Sequence, residues 1–140
     1  MTSAPPLSLD LTHYADAVNN AYYNQQVCVI ATCGADDPDL ALKGSFMVWD
    51  ADSLAYWERG GGETLAAIRA NPRVAVLVRP KGSPPMRFWG NAEVVSADPQ
   101  RLAIYDRVIP EEQGRDPEKK GVGVLVRVDR VRQGPNSVRR

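Results

Sequence analysis

From Val27 to Val131 the chain alternates apolar and polar positions in short runs broken by Gly, Pro, Asp and Asn, as strands joined by tight turns do. Val27–Thr32, Leu40–Trp49, Ser53–Trp57, Val74–Val78, Met86–Val95 and Gly123–Val131 read as six strands. Val74–Val78 is almost purely apolar and should lie centrally. Gly90 inside the fifth run predicts a bulge or a close backbone approach. Helical spacing predicts a helix over Asp10–Tyr23 through Leu11, Tyr14, Val18 and Tyr22. It predicts a second after Gly62, capped by Thr64, with Leu65 and Ile68 inward and Pro72 preventing continuation. A third starts at Asp98-Pro99 and carries Leu102, Ile104 and Tyr105. Pro110–Gly121 is charged and reads as exposed. The early connections are too short for crossover helices, so the pairing is antiparallel and fits a small closed barrel.

A length of 140 residues with 44% hydrophobic content is one domain with one core, 1–9 and 134–140 being flexible ends. Seventeen basic and seventeen acidic side chains cancel, leaving no electrostatic footprint for nucleic acid or an anionic membrane. The basic C-terminal positions Arg127, Arg130, Arg132, Arg139 and Arg140 read as a solvated strand face and tail. No apolar run approaches a transmembrane length and no secretory leader pattern opens the chain, so a cytoplasmic location is expected. Cys28 and Cys33 match neither a redox nor a zinc spacing, and Cys28 alternates as a core residue. His13 is the only histidine, which argues against a multi-histidine metal site and against histidine-centred acid–base catalysis. No metal ligands and no catalytic side chains are assigned.

Leu54–Val78 carries the densest chemistry. A strand, a glycine hinge, a short helix and the stop at Asn71-Pro72 bring backbone amides and a helix N-terminus to one spot, as a phosphate-bearing cofactor requires. Glu63 opposes that reading, because its carboxylate stands at the same helix start. At ~4 Å and an effective dielectric near 20, a unit charge pair is worth roughly 4 kcal/mol. Glu63 is also an ordinary favourable acid in a helix's first turn.

Four pieces in order, Lys43-Gly44-Ser45, Tyr56-Trp57-Glu58-Arg59, Asn71-Pro72-Arg73-Val74 and Gly90-Asn91-Ala92-Glu93, make Val27–Val95 resemble the pyridoxamine 5'-phosphate oxidase-like FMN-binding split-barrel family. The final strand echoes it more weakly. The resemblance implies a mainly β (α+β) fold, a six-stranded antiparallel split barrel with short flanking helices. It also implies a homodimer with two equivalent cofactor clefts between subunits. It places Lys43, Gly44, Ser45 and Phe46 along the flavin ring, with Lys43 reaching toward the phosphate or ribityl chain. Tyr56 and Trp57 border the ribityl phosphate, with core packing an equal explanation for each, and Arg59, Gly62 and Thr64 lie at the phosphate turn. Arg87 and Trp89, two residues apart on one strand face, would line a substrate site; the alternative is an aromatic beside an edge arginine. Where the family often has Ser-Arg-Lys, this chain has Gly62-Glu63-Thr64.

The function implied is a flavin-dependent oxidoreductase acting on a small molecule, with FMN supplying the redox chemistry. True pyridoxamine phosphate oxidase activity is not expected, since no histidine follows His13 to complete an Arg-x-His signature. The alternatives are a deazaflavin-dependent reductase and a non-catalytic protein that binds flavin or a tetrapyrrole, or no cofactor.

Overall fold

A computed structural model describes residues 7–140; residues 1–6, within the expected N-terminal end, lie outside the described residues. Leu7 and Leu9 already pack on the core. A 3-10 turn, Leu11–Tyr14, precedes the short helix α1 (Ala15–Asn19). The expected single helix to Tyr23 is therefore broken: Asp10 caps the first turn by accepting from the Thr12 amide, and the chain loosens into turns after Asn19.

Eight strands follow: β1 (Cys28–Thr32), β2 (Asp39–Lys43), β3 (Met47–Val48), β4 (Ser53–Glu58), β5 (Arg73–Val78), β6 (Met86–Val95), β7 (Val122–Gln133) and β8 (Asn136–Arg139). All pairings are antiparallel, in the order β2-β1-β5-β6-β7-β4-β3, with β8 against the second half of β7. Two differences separate this from six strands. Leu40–Trp49 is cut at Gly44–Phe46 into β2 and β3. Residues 134–140, expected to be flexible, form a turn and β8, held where Arg140 Nη2 donates to Asp52 Oδ1 at 2.6 Å.

The barrel does not close by hydrogen bonds, contrary to the closed barrel that strand count alone suggests. β2 and β3 are the two ends of the path, yet they are consecutive in the chain. A flat sheet of seven strands would hold its ends about 29 Å apart at roughly 4.8 Å per step. Three linking residues span at most about 14 Å. The sheet must therefore curl until its edges face each other across an open seam, which residues 44–46 bridge. This is the split barrel that the sequence suggested.

Alternation fills the interior. Ile30, Val76, Phe88, Val124 and Val126 point inward from successive strands and are fully buried. β4 is buried on both faces, because α3 (Gln100–Arg107) covers its outer side: Ala55 and Trp57 pack on Ile104, Tyr105 and Val108 in a second cluster. Gly123 lets α3 approach, since a Cβ there would lie 2.4 Å from Ile104 Cδ1. α2 (Glu63–Ala70) turns Leu65 and Ile68 inward; its N-cap is Gly62 with no side-chain bond, so Thr64 lies within the helix and is buried instead of capping it.

Gly90 marks a bulge where the β6–β7 register shifts after Trp89, as its place in an alternating strand predicted. A Cβ at residue 90 would lie 2.0 Å from the Arg127 carbonyl oxygen, a backbone atom that cannot swing aside. Gly90→Ala is expected to lower unfolding free energy by about 1–3 kcal/mol in urea denaturation. Gly60→Ala, with nothing within 4 Å of the added methyl, should change it by less than about 0.5 kcal/mol.

Candidate functional site

The seam opens into a cleft of about 580 Å³, within the range of small-molecule sites. Lys43, Gly44 and Ser45 form its floor where the chain crosses between sheet edges. Trp57, Glu58, Arg59 and Gly60 supply one wall from the end of β4, and Tyr22, Val27 and Leu42 another. Glu112 and Arg115 reach in from α4 (Pro110–Gln113) and the turn after it.

The floor is locked from beneath. The Ser45 hydroxyl accepts from the Trp57 amide at 3.0 Å and donates to the Trp57 carbonyl at 3.3 Å, tying the crossing chain to β4. Lys43 Nζ donates to both oxygens of Glu58, at 3.0 and 3.1 Å, and Tyr56 donates to the same carboxylate at 3.4 Å. Both partners of this ion pair are largely buried, with side chains 17% and 7% exposed, so the charge of Lys43 is already answered inside the protein. Burial, then the neighbouring Glu58 charge and hydrogen bond, push the Tyr56 phenol far up, so it stays a neutral donor. Burial likewise pushes the Cys28 thiol up to about 12; both cysteines are free.

Asp116 anchors the wall. Its carboxylate accepts from Trp57 Nε1 at 2.8 Å, from the Gly121 amide at 2.9 Å and from the Lys120 amide at 3.1 Å. Burial raises its pKa, but these three bonds and the charge of Arg101 outweigh burial and hold it below the usual carboxylate value. Pro110–Gly121 is thus not simply an exposed charged loop: Glu112, Asp116 and Gly121 are buried, and the segment folds back on the cleft.

Of the residues singled out from the sequence, Lys43, Gly44, Ser45, Trp57 and Arg59 meet in this cleft. Tyr56 and Phe46 sit beneath it in the core, their rings 4.7 Å apart. Gly62 and Thr64 do not line it, and neither does Glu63, which is exposed at the start of α2 without an ion pair among the described residues. Arg87 and Trp89 project from the outer face of β6, where Arg130 and Arg132 lie over the indole at 4.4 and 5.7 Å. Sequence reasoning missed Glu58 as the partner of Lys43, and missed Glu112 and Arg115 altogether.

The family model for pyridoxamine 5'-phosphate oxidase matches residues 14–133, most of the chain. The chain belongs to this family. No curated protein sequence matches it. Among solved structures, HupZ of Group A Streptococcus is 24% identical with a TM-score of 0.71, covering 92% of this chain and 97% of HupZ. A pyridoxamine 5'-phosphate oxidase-related, FMN-binding protein of Nostoc punctiforme PCC 73102 is 15% identical at a TM-score of 0.68, covering 97% and 90%. An F420 reductase is 24% identical at 0.59, covering 77% and 90%. At these identities the likeness shows the fold. Among the described residues no helix is long and apolar enough to cross a membrane.

Within this family framework Asp116 has a testable role. A group with a depressed folded pKa stabilises the fold above its unfolded value, here 3.8, and that contribution is lost as pH falls through the lower folded value. Asp116→Asn should cost about 1–3 kcal/mol at neutral pH, by urea denaturation, because one amide oxygen replaces two charged acceptors. The difference from the unchanged protein should be full above pH 3.8 and shrink as the pH is lowered below it.

Proposed function

We propose that the protein is an FMN-binding oxidoreductase acting on a small molecule, with the flavin held in the seam cleft. The observation that carries this reading is the convergence of Lys43, Gly44, Ser45, Trp57 and Arg59 on one cavity of suitable size. The donor set fits an anionic cofactor at one end. Lys43, Arg59 and Arg115 against Glu58 and Glu112 leave one net positive charge, and the two arginines are exposed and free of ion pairs among the described residues. The phosphate therefore belongs at Arg59 and Arg115, whose planar forks suit it, and not at Lys43. Glu63 lies outside the lining, which relieves the repulsion that its sequence position suggested.

When bound, the flavin supplies the electron transfer. The chain's own residues orient and enclose. Ser45 and Glu58 fix the floor by holding Trp57 and Lys43, and Asp116 holds the indole of Trp57 against Tyr105, 5.0 Å away. No side chain is assigned as nucleophile or general base. The likeness to an F420 reductase supports a deazaflavin as the second reading, but a longer anionic tail would ask for more than the two free arginines.

We also propose that two copies pair through the outer face beside the cleft. Leu40 and Leu42 on edge strand β2 are 70% and 68% exposed, and register places Val29, Ala31, Ala75 and Leu77 on the same face. An uncovered apolar stripe of this kind is an interface signal, and Leu42 borders both it and the cleft. That placement agrees with cofactor clefts lying between subunits. A cytoplasmic location completes the proposal.

The cofactor reading is checked by titrating FMN and riboflavin, followed by flavin fluorescence. Replacing Arg59 and Arg115 together by alanine should weaken FMN at least tenfold and leave riboflavin, which lacks the phosphate, nearly unchanged. Equal losses for both ligands, or none, would count against a phosphate at these arginines. In sedimentation, Leu40→Glu with Leu42→Glu should convert a dimer to a monomer.

A further inference from the structure

Glu112 is 7% exposed, yet its carboxylate has neither a hydrogen-bond nor an ion-pair partner among the described residues. Its oxygens are not sealed off, since the residue lines the seam cleft and neither oxygen is a fully buried orphan. Taking a carboxylate this far out of water without a partner is costly, and an apolar side chain would fill the same space at less cost. The nearby cations do not answer it. Lys43 is engaged by Glu58 at 3.0 and 3.1 Å, and Arg115 makes no ion pair with it. Its neighbour Glu111 behaves differently, being exposed and accepting from Tyr23 at 2.6 Å.

The position of the carboxylate is specific. A Cβ on Gly44 would lie 2.1 Å from Glu112 Oε1 and 3.2 Å from the Tyr22 ring. Glu112 therefore sits directly on the cleft floor, at the crossing between sheet edges, and makes no ion pair with either exposed arginine. The cleft thus offers two kinds of unused group: free guanidinium groups for an anion, and an unpartnered acceptor for a donor group.

Resting on the flavin reading above, we propose that Glu112 is the specificity-determining acceptor for the imide N–H of the isoalloxazine ring. The polar edge of that ring carries one N–H between two carbonyls, and its opposite edge is apolar. A carboxylate accepts from the N–H and repels the carbonyls. Glu112 therefore selects which edge of the ring enters, while Arg59 and Arg115 fix the phosphate end. Gly44 is required beneath it because any side chain there would displace the acceptor.

The test compares riboflavin with 3-methylriboflavin, in which the imide N–H is replaced by N–CH3, by fluorescence titration of the whole chain. The unchanged protein should bind riboflavin about tenfold or more tightly than the methylated ring, the worth of a hydrogen bond to a charged acceptor. In Glu112→Ala that ratio should collapse toward one. In Glu112→Gln, whose amide oxygen still accepts, an intermediate ratio should survive and show that the fold is intact. A ratio unchanged in Glu112→Ala, or equal binding of both rings by the unchanged protein, overturns the role of Glu112 and leaves the flavin reading standing. Failure of the unchanged protein to bind FMN or either ring overturns both.

Discussion

Residues 44–46 set the constraint on which the rest of the structure depends. They join β2 to β3, the two ends of the hydrogen-bonded path, so the sheet has to curl and its edges have to face each other without pairing. An unpaired seam normally leaves backbone groups and apolar edges in need of cover. Here the crossing chain is fastened by the Ser45 hydroxyl to both backbone groups of Trp57, and α4 with the turn after it folds over the gap. The cleft is what remains of the seam once those covers are in place.

The charges around the seam are arranged in layers. At the base, Lys43 and Glu58 satisfy each other, with Tyr56 adding a neutral donor, so this buried pair acts as a rigid support. Removing either partner would leave an uncompensated buried charge, which costs more than the pair itself contributes. At the side, Asp116 gathers three donors from the indole of Trp57 and the amides before β7, and Arg101 closes the same loop by donating to the carbonyls of Lys119 and Gly121 at 2.6 and 2.9 Å. Arg59, Arg115 and Glu112 remain with unused capacity at the mouth and over the floor. Function is assigned to those groups because the structure itself does not use them.

Local pattern revealed much of the fold. Period-two alternation located the strands, and Gly90 announced the bulge, because a glycine within an alternating strand has few other physical reasons to be there. The cut at Gly44 was not legible: Leu40–Trp49 is one continuous β-like run, and only the need to cross between sheet edges divides it. The four residues of β8 show no strand pattern of their own; β7 offers them an edge and Arg140 reaches Asp52.

The cleft was legible where its residues are contiguous and obscure where they are distant. Lys43–Ser45 and Trp57–Arg59 carried the family resemblance, and they do meet. Glu112 stands in a segment whose composition resembles an ordinary exposed loop; nothing local tells it from Glu111, and burial alone separates them. The same limit explains Glu63, whose neighbourhood in sequence placed it beside the cleft residues although it does not line the cleft. The measurement that tests the central claim most directly is a crystal structure of the protein grown with FMN. Electron density for the ring in the seam cleft with its imide edge at Glu112, and the phosphate at Arg59 and Arg115, is the predicted result. Flavin seated instead on the Trp89–Arg130 face, or a seam that holds none at saturating FMN, would contradict it.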